Sequence, residues 1–95
     1  MRSLEVLHED LAKLAEKLEK DGFAINYEIW NDNEENFPCC EITGDYNMKI
    51  SIHENRPMIY VGYGFNYNTQ NIITEFKKMF KNDKQIVQIP KDYQY

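Results

Sequence analysis

The sequence predicts a two-layer α+β fold: helix, four-stranded antiparallel meander, helix, with both helices on one sheet face. Three observations predict it. Leu4, Leu7, Leu11, Leu14 and Leu18 repeat at alternating spacings of 3 and 4, the period of a helix with one buried stripe. Between residues 23 and 67, apolar residues alternate with polar ones in four runs broken by Asn, Asp, Gly and Pro. Such alternation is the mark of half-buried strands. Ile72, Ile73, Phe76, Met79 and Phe80 then return to helical spacing.

Each element has a local reason. The first helix covers residues 3–20, with Ser3 as its N-cap and Gly22 placed for a left-handed C-terminal residue. Its polar face sets Glu5, Glu9, Lys13, Glu16, Lys17 and Lys20 at pairing distances. The stripe, with Ala12 and Ala15 beside it, spans barely two heptads, so it packs on its own sheet rather than in a coiled coil. Residues 23–30 put Phe23, Ile25, Tyr27 and Ile29 on one strand face and Ala24, Asn26, Glu28 and Trp30 on the other. Residues 31–36, Asn-Asp-Asn-Glu-Glu-Asn, read as an acidic hairpin loop. That loop lacks the central Gly and distal Glu of a calcium-binding loop.

Residues 37–43 form the second strand, where Pro38 signals a strand start or an edge, and Gly44-Asp45 supplies turn chemistry. Residues 46–53 alternate Tyr46, Met48, Ile50 and Ile52 inward with Asn47, Lys49, Ser51 and His53 outward. Glu54-Asn55-Arg56-Pro57 turns the chain into the longest aromatic and β-branched run, Met58–Tyr67, read as a central strand. There Ile59, Val61, Tyr63 and Phe65 face the helices, while Gly62 and Gly64 leave a groove opposite beside Met58, Tyr60 and Asn66. The second helix covers 69–81 with Asn68 or Thr69 as cap. Residues 85–90 are a short fifth edge strand or an extended tail stopped by Pro90, and 91–95 fray.

The 95 residues make one domain, 1–95, and a hydrophobic content of 42% is too high for a disordered chain. No apolar run is long enough to span a membrane, and Met1-Arg2-Ser3-Leu4-Glu5 turns acidic where a signal peptide needs an apolar stretch. A soluble, cytoplasmic protein is expected. Cys39 and Cys40 are adjacent, which opposes a disulfide between them. One is expected buried and the other more exposed. With two His elsewhere they make no zinc signature, and neither metal nor cofactor is expected.

Net charge is −5, and residues 21–56 hold more than all of it: eight acids (Asp21, Glu28, Asp32, Glu34, Glu35, Glu41, Asp45, Glu54) against Lys49 and Arg56, or −6. Residues 75–95 carry five Lys against three acids, or +2. An acidic centre repels nucleic-acid phosphate and attracts basic protein surfaces.

Val61-Gly62-Tyr63-Gly64-Phe65-Asn66-Tyr67 resembles the RNP1 segment of RNA-recognition motifs, in which Gly-aromatic-Gly-Phe lies on a central strand. The resemblance implies bases stacked on those aromatics. Val61 stands where that segment has a basic residue, Asn66 where it has an apolar one, and no strand precedes the first helix to carry RNP2. Direct nucleic-acid binding is therefore not expected. For nucleophilic catalysis, Cys39 or Cys40 with His53 is the sole candidate set, and strand parity puts Cys39 on the face of His53. His8 lies beside the leucine seam as a structural residue, and neither a P-loop nor a dinucleotide fingerprint occurs. An enzyme is not expected.

What remains is a contact protein. Glu28, Trp30, Asp32, Glu34, Glu35, Glu41, Asp45 and Tyr60 are the expected partner-binding residues, carboxylates for a basic protein surface and aromatics as anchors. In size, charge and layout such a chain is similar to the small acidic inhibitors of phages and mobile elements, including anti-CRISPR proteins and nuclease inhibitors. Its Lys-, Asn-, Ile- and Tyr-heavy composition suits an AT-rich phage or bacterial genome. The alternative is a homodimeric adaptor, secretion-chaperone-like or immunity-type, that uses the open sheet face as its interface.

Overall fold

The computed structural model describes residues 3–32, 35–43, 48–53, 55–62 and 67–88, apart from the side chains of Trp30, Asn31, Asp32, Glu35 and Tyr67. Seven elements follow in order: α1 (Leu4–Lys20), β1 (Ile25–Asp32), β2 (Glu35–Ile42), β3 (Met48–His53), β4 (Arg56–Val61), α2 (Tyr67–Met79) and β5 (Ile86–Gln88). The strands lie in chain order across one sheet, antiparallel through β4, with β5 parallel to β4. A parallel fifth strand follows from α2, which carries the chain back before β5 begins.

The expected stripes make the core. Leu7, Leu11, Leu14 and Leu18 of α1 join Ile72, Ile73, Phe76 and Phe80 over Cys40, Ile42, Met48, Ile50, Ile52, Ile59 and Val61. Full burial of each such side chain contributes roughly 1.5–3 kcal/mol. Leu4 belongs to the stripe by spacing but sits in the first turn and is 45% exposed. Both ends of α1 behave as expected. The Ser3 hydroxyl accepts from the Val6 amide at 3.3 Å. Gly22, at φ 103°, donates to the Glu19 carbonyl, and Phe23 donates to that of Leu18, a paired closure that needs the left-handed residue.

Four expectations are corrected. The acidic loop is shorter than its composition suggests, because β1 and β2 pair residue for residue from Ile25↔Ile42 to Asp32↔Glu35. Asn31, Asp32, Glu35 and Asn36 are thus strand residues; ladder hydrogen bonds outweigh polar composition, and a two-residue connection suits a hairpin. Pro38 lies within β2, not at its start, but the β2–β3 ladder begins only at Cys39↔Ser51, so Pro38 falls outside that pairing. β4 starts earlier and ends sooner than expected. His53↔Arg56 closes a two-residue hairpin with Asn55 at φ 66°, and the described pairing runs to Met48↔Val61. Gly62 follows the strand and Tyr67 opens α2; Tyr63, Gly64, Phe65 and Asn66, and with them most of the expected glycine groove, lie outside the described residues. The earlier exit also starts α2 two residues ahead, which puts the expected caps Asn68 and Thr69 inside its first turn. Pro90 and residues 91–95 lie outside the described residues.

The far end of α2 is held by a side chain that periodicity does not reveal. Gln85 Nε2 donates to the carbonyl oxygens of Phe80 at 2.7 Å and Lys77 at 3.0 Å, which satisfies two helix-end acceptors just ahead of β5. Gln85→Ala is expected to cost about 1–2 kcal/mol in urea denaturation, with the first loss of amide protection in β5.

Candidate binding surface

The ladders fix which residues share the sheet face away from the helices. One cross-strand row runs Asn26, Glu41, Lys49, Tyr60 and Gln88; the next runs Glu28, Cys39, Ser51, Met58 and Ile86. Trp30 is opposite Phe37, and His53 opposite Arg56. This is the face that alternation assigns. It is less bare than expected, because Phe37, Cys39 and Ser51 are buried at its centre. They floor a depression of about 220 Å³ walled by Lys49, His53, Met58 and Tyr60.

The expected contact residues fall in three places. Glu28 is exposed on β1, Glu41 is half-buried opposite Lys49, and Tyr60 is 38% exposed on β4. Asp32 and Glu35 are paired at the outer end of the β1–β2 hairpin. The side chain of Trp30, and the whole of Glu34 and Asp45, lie outside what is described. Tyr60 is three strands from Glu28, about 14 Å at ordinary strand spacing, so the set spreads along the face rather than converging.

The charge does converge. Residues 25–42, the β1–β2 hairpin, hold Glu28, Asp32, Glu34, Glu35 and Glu41 and no Lys or Arg, a charge of −5. The rest of the chain then has 16 − 5 = 11 acids against 11 bases, so the hairpin carries the whole net charge. Elsewhere acids meet bases: Lys17 Nζ lies 3.1 Å from Asp21 and 3.6 Å from Glu75, tying α1 to α2, and Lys20 lies 3.5 Å from Glu16. The Asp21 hydrogen bond leads the effects that hold the exposed Lys17 ammonium above its ordinary range.

Two residues of this hairpin depart from expectation. Tyr27 and Ile29 lie on the helix-facing side, opposite Cys40 and Pro38, as alternation predicts. They are nonetheless 38% and 57% exposed, because α1 packs on the Ile25 end of the outer strand and leaves its far end uncovered. Alternation reports which side a residue takes, not whether anything packs there.

The thiols are also corrected: both are buried, Cys39 on the open face and Cys40 in the core. Burial pushes the Cys39 thiol up to about 11, with Lys49 opposing and Glu41 and Glu28 adding to the rise. Burial, then the neighbouring Cys39, pushes Cys40 up to about 12. Parity does bring Cys39 and His53 to one depression. A nucleophilic thiol needs the opposite shift. The His53 imidazole packs on the Phe37 ring, centroids 4.2 Å apart. Among the described residues, no three His, Cys, Asp or Glu side chains are placed to hold a metal ion together, and no helix is long and apolar enough to cross a membrane.

No protein family, curated protein or solved structure matches this chain.

The thiol environment has a measurable consequence. Native-state labelling by a disulfide reagent at pH 8 is expected to run about 100-fold slower than in urea, since thiolate fraction falls tenfold per unit of pKa. The folded chain also keeps protons that the unfolded chain releases. Stability is thus full below the ordinary thiol value of 9.0 and falls as pH rises from there towards 11, which urea titrations at successive pH values would read.

Proposed function

We propose that this chain is a small, non-enzymatic acidic binding protein that occupies a basic surface of a protein partner. The observation that supports it is the confinement of the whole net charge to one hairpin at the border of the sheet. A carboxylate array of that kind satisfies arginine and lysine groups that otherwise hold phosphate. This is the chemistry of small acidic inhibitors of nucleic-acid-binding proteins, the class that phages and mobile elements use against bacterial defence. Glu28, Asp32, Glu34, Glu35 and Glu41 supply the charge, Trp30 and Tyr60 the aromatic contacts, and Asp45 a further carboxylate. The partner is a protein rather than nucleic acid or a membrane surface, and the reading places the chain in the cytoplasm.

A second reading, a homodimeric adaptor, is favoured by one observation: the apolar-floored depression beside Tyr60 on the uncovered face. Light scattering with Tyr60→Ala distinguishes it, since a dimer built on that face would dissociate.

The test is capture of basic proteins from a nuclease-treated bacterial lysate by the immobilised chain. Capture should fall steeply as salt rises from about 0.05 to about 0.5 M. Reversing Glu28 and Glu35 together to Lys should weaken it by about tenfold or more without moving the thermal midpoint by more than a few degrees. Capture that is indifferent to both would remove the acidic hairpin from the function.

A further inference from the structure

We propose that the outer edge of β1 receives an extended segment of the protein partner as a sixth strand, in which basic residues alternate with apolar ones. The basic half of that pattern rests on the acidic-recognition reading above; the strand addition rests on backbone geometry.

Among the described residues, β1 is the first strand of the sheet and has a neighbour on one side only. Its pairing with β2 is one-to-one over eight residues, without a bulge. The Thr43 amide donates to the Ala24 carbonyl at 2.9 Å, and in the same register these two residues lie directly opposite. Ala24 therefore turns its backbone groups towards β2. Along an antiparallel ladder this direction alternates. Asn26 and Glu28 bond inward, and Ile25, Tyr27 and Ile29 present their N–H and C=O groups outward.

Such an edge is ordinarily blunted by Pro, by Lys, by a bulge or by shortness. Residues 25–32 contain neither Pro nor Lys and are the full length of the longest strands present. Among the described residues, the strand at the opposite border, β5, has three.

The two sides of the edge differ in chemistry. Towards the helices, Tyr27 and Ile29 are exposed, and Ala12, Ala15 and Ile25 line a groove between α1 and β1, with Glu16, Glu19 and Asn26 at its polar side. An incoming strand would set apolar side chains there. On the other side Glu28 is exposed in a hairpin of five acids and no base. Every second residue of the incoming strand meets that field, and a base is the complement. A second copy of this chain is disfavoured as occupant, because pairing two β1 edges brings two hairpins of −5 together.

The experiment is fluorescence anisotropy with a labelled octapeptide of alternating Lys and Val, compared with its block isomer, four Lys followed by four Val. Ile29→Pro deletes an outward donor that makes no ladder bond and sets a ring in the path of the added strand. The alternating peptide should bind at least about tenfold tighter than the block isomer and lose that margin in Ile29→Pro. Should that variant unfold by circular dichroism, the alternating peptide N-methylated along one edge serves instead and should lose the same margin. Equal binding of the two peptides, unchanged by Ile29→Pro or N-methylation, overturns strand addition and leaves acidic recognition standing. Binding of neither peptide, while the lysate capture above stays salt-sensitive, overturns strand addition alone. A wild-type dimer that Ile29→Pro makes monomeric assigns the edge to a second copy and overturns the proposal.

Discussion

The width of the helix layer governs this molecule. Two helices side by side, each about 10 Å across, cover roughly 20 Å of sheet, and five strands at about 4.8 Å spacing occupy at least as much. The leucine stripe of α1 and the Ile-Phe stripe of α2 settle over β2, β3 and β4, where Cys40, Ile42, Ile50, Ile59 and Val61 are fully buried. β1 lies at the margin of that cover. Its helix-facing residues grade outward from half-buried Ile25 to Ile29 at 57% exposure. The exposed apolar side chains of β1 are thus a geometric remainder of packing two helices on five strands.

Charge follows the same division. Where layers meet, acids and bases are interleaved: Lys17 reaches both Asp21 and Glu75, and Lys49 lies opposite Glu41 on the open face. Where the sheet runs out, the carboxylates have no basic neighbours in sequence. Field strength at such a surface depends on how closely like charges are gathered as well as on their sum, so five carboxylates held on 18 residues act more strongly than the same number dispersed, with Lys49 opposite Glu41 offsetting part of their charge. The open face contributes differently. Its buried centre of Phe37, Cys39 and Ser51 gives the middle of the sheet a second, thin layer of packing.

Much of the layout is legible in the sequence because it rests on period. Leu7, Leu11, Leu14 and Leu18 announce their helix and its buried face, and Met48, Ile50 and Ile52 announce theirs. Ser3 and Gly22 mark the ends of α1 because capping chemistry is local. What is not legible depends on partners distant in the chain. Asn31 to Asn36 look like loop until their ladder is known. Tyr67 has the propensity of a strand residue but opens α2. The parallel direction of β5 and the hold of Gln85 on α2 come from tertiary arrangement alone. At the candidate surface, composition locates the acids, but the outward amides of Ile25, Tyr27 and Ile29 emerge only once a register is fixed.

The unequal borders of the sheet carry one more consequence. A β-sheet that can be extended from both sides can polymerise, because each added copy offers a fresh side to the next. Among the described residues, the side closed by β5 offers a run of three residues, while the side made by β1 offers eight. Under the strand-addition proposal the longer border is the one that would take a partner. A single such border would make the molecule monovalent and keep its assemblies finite.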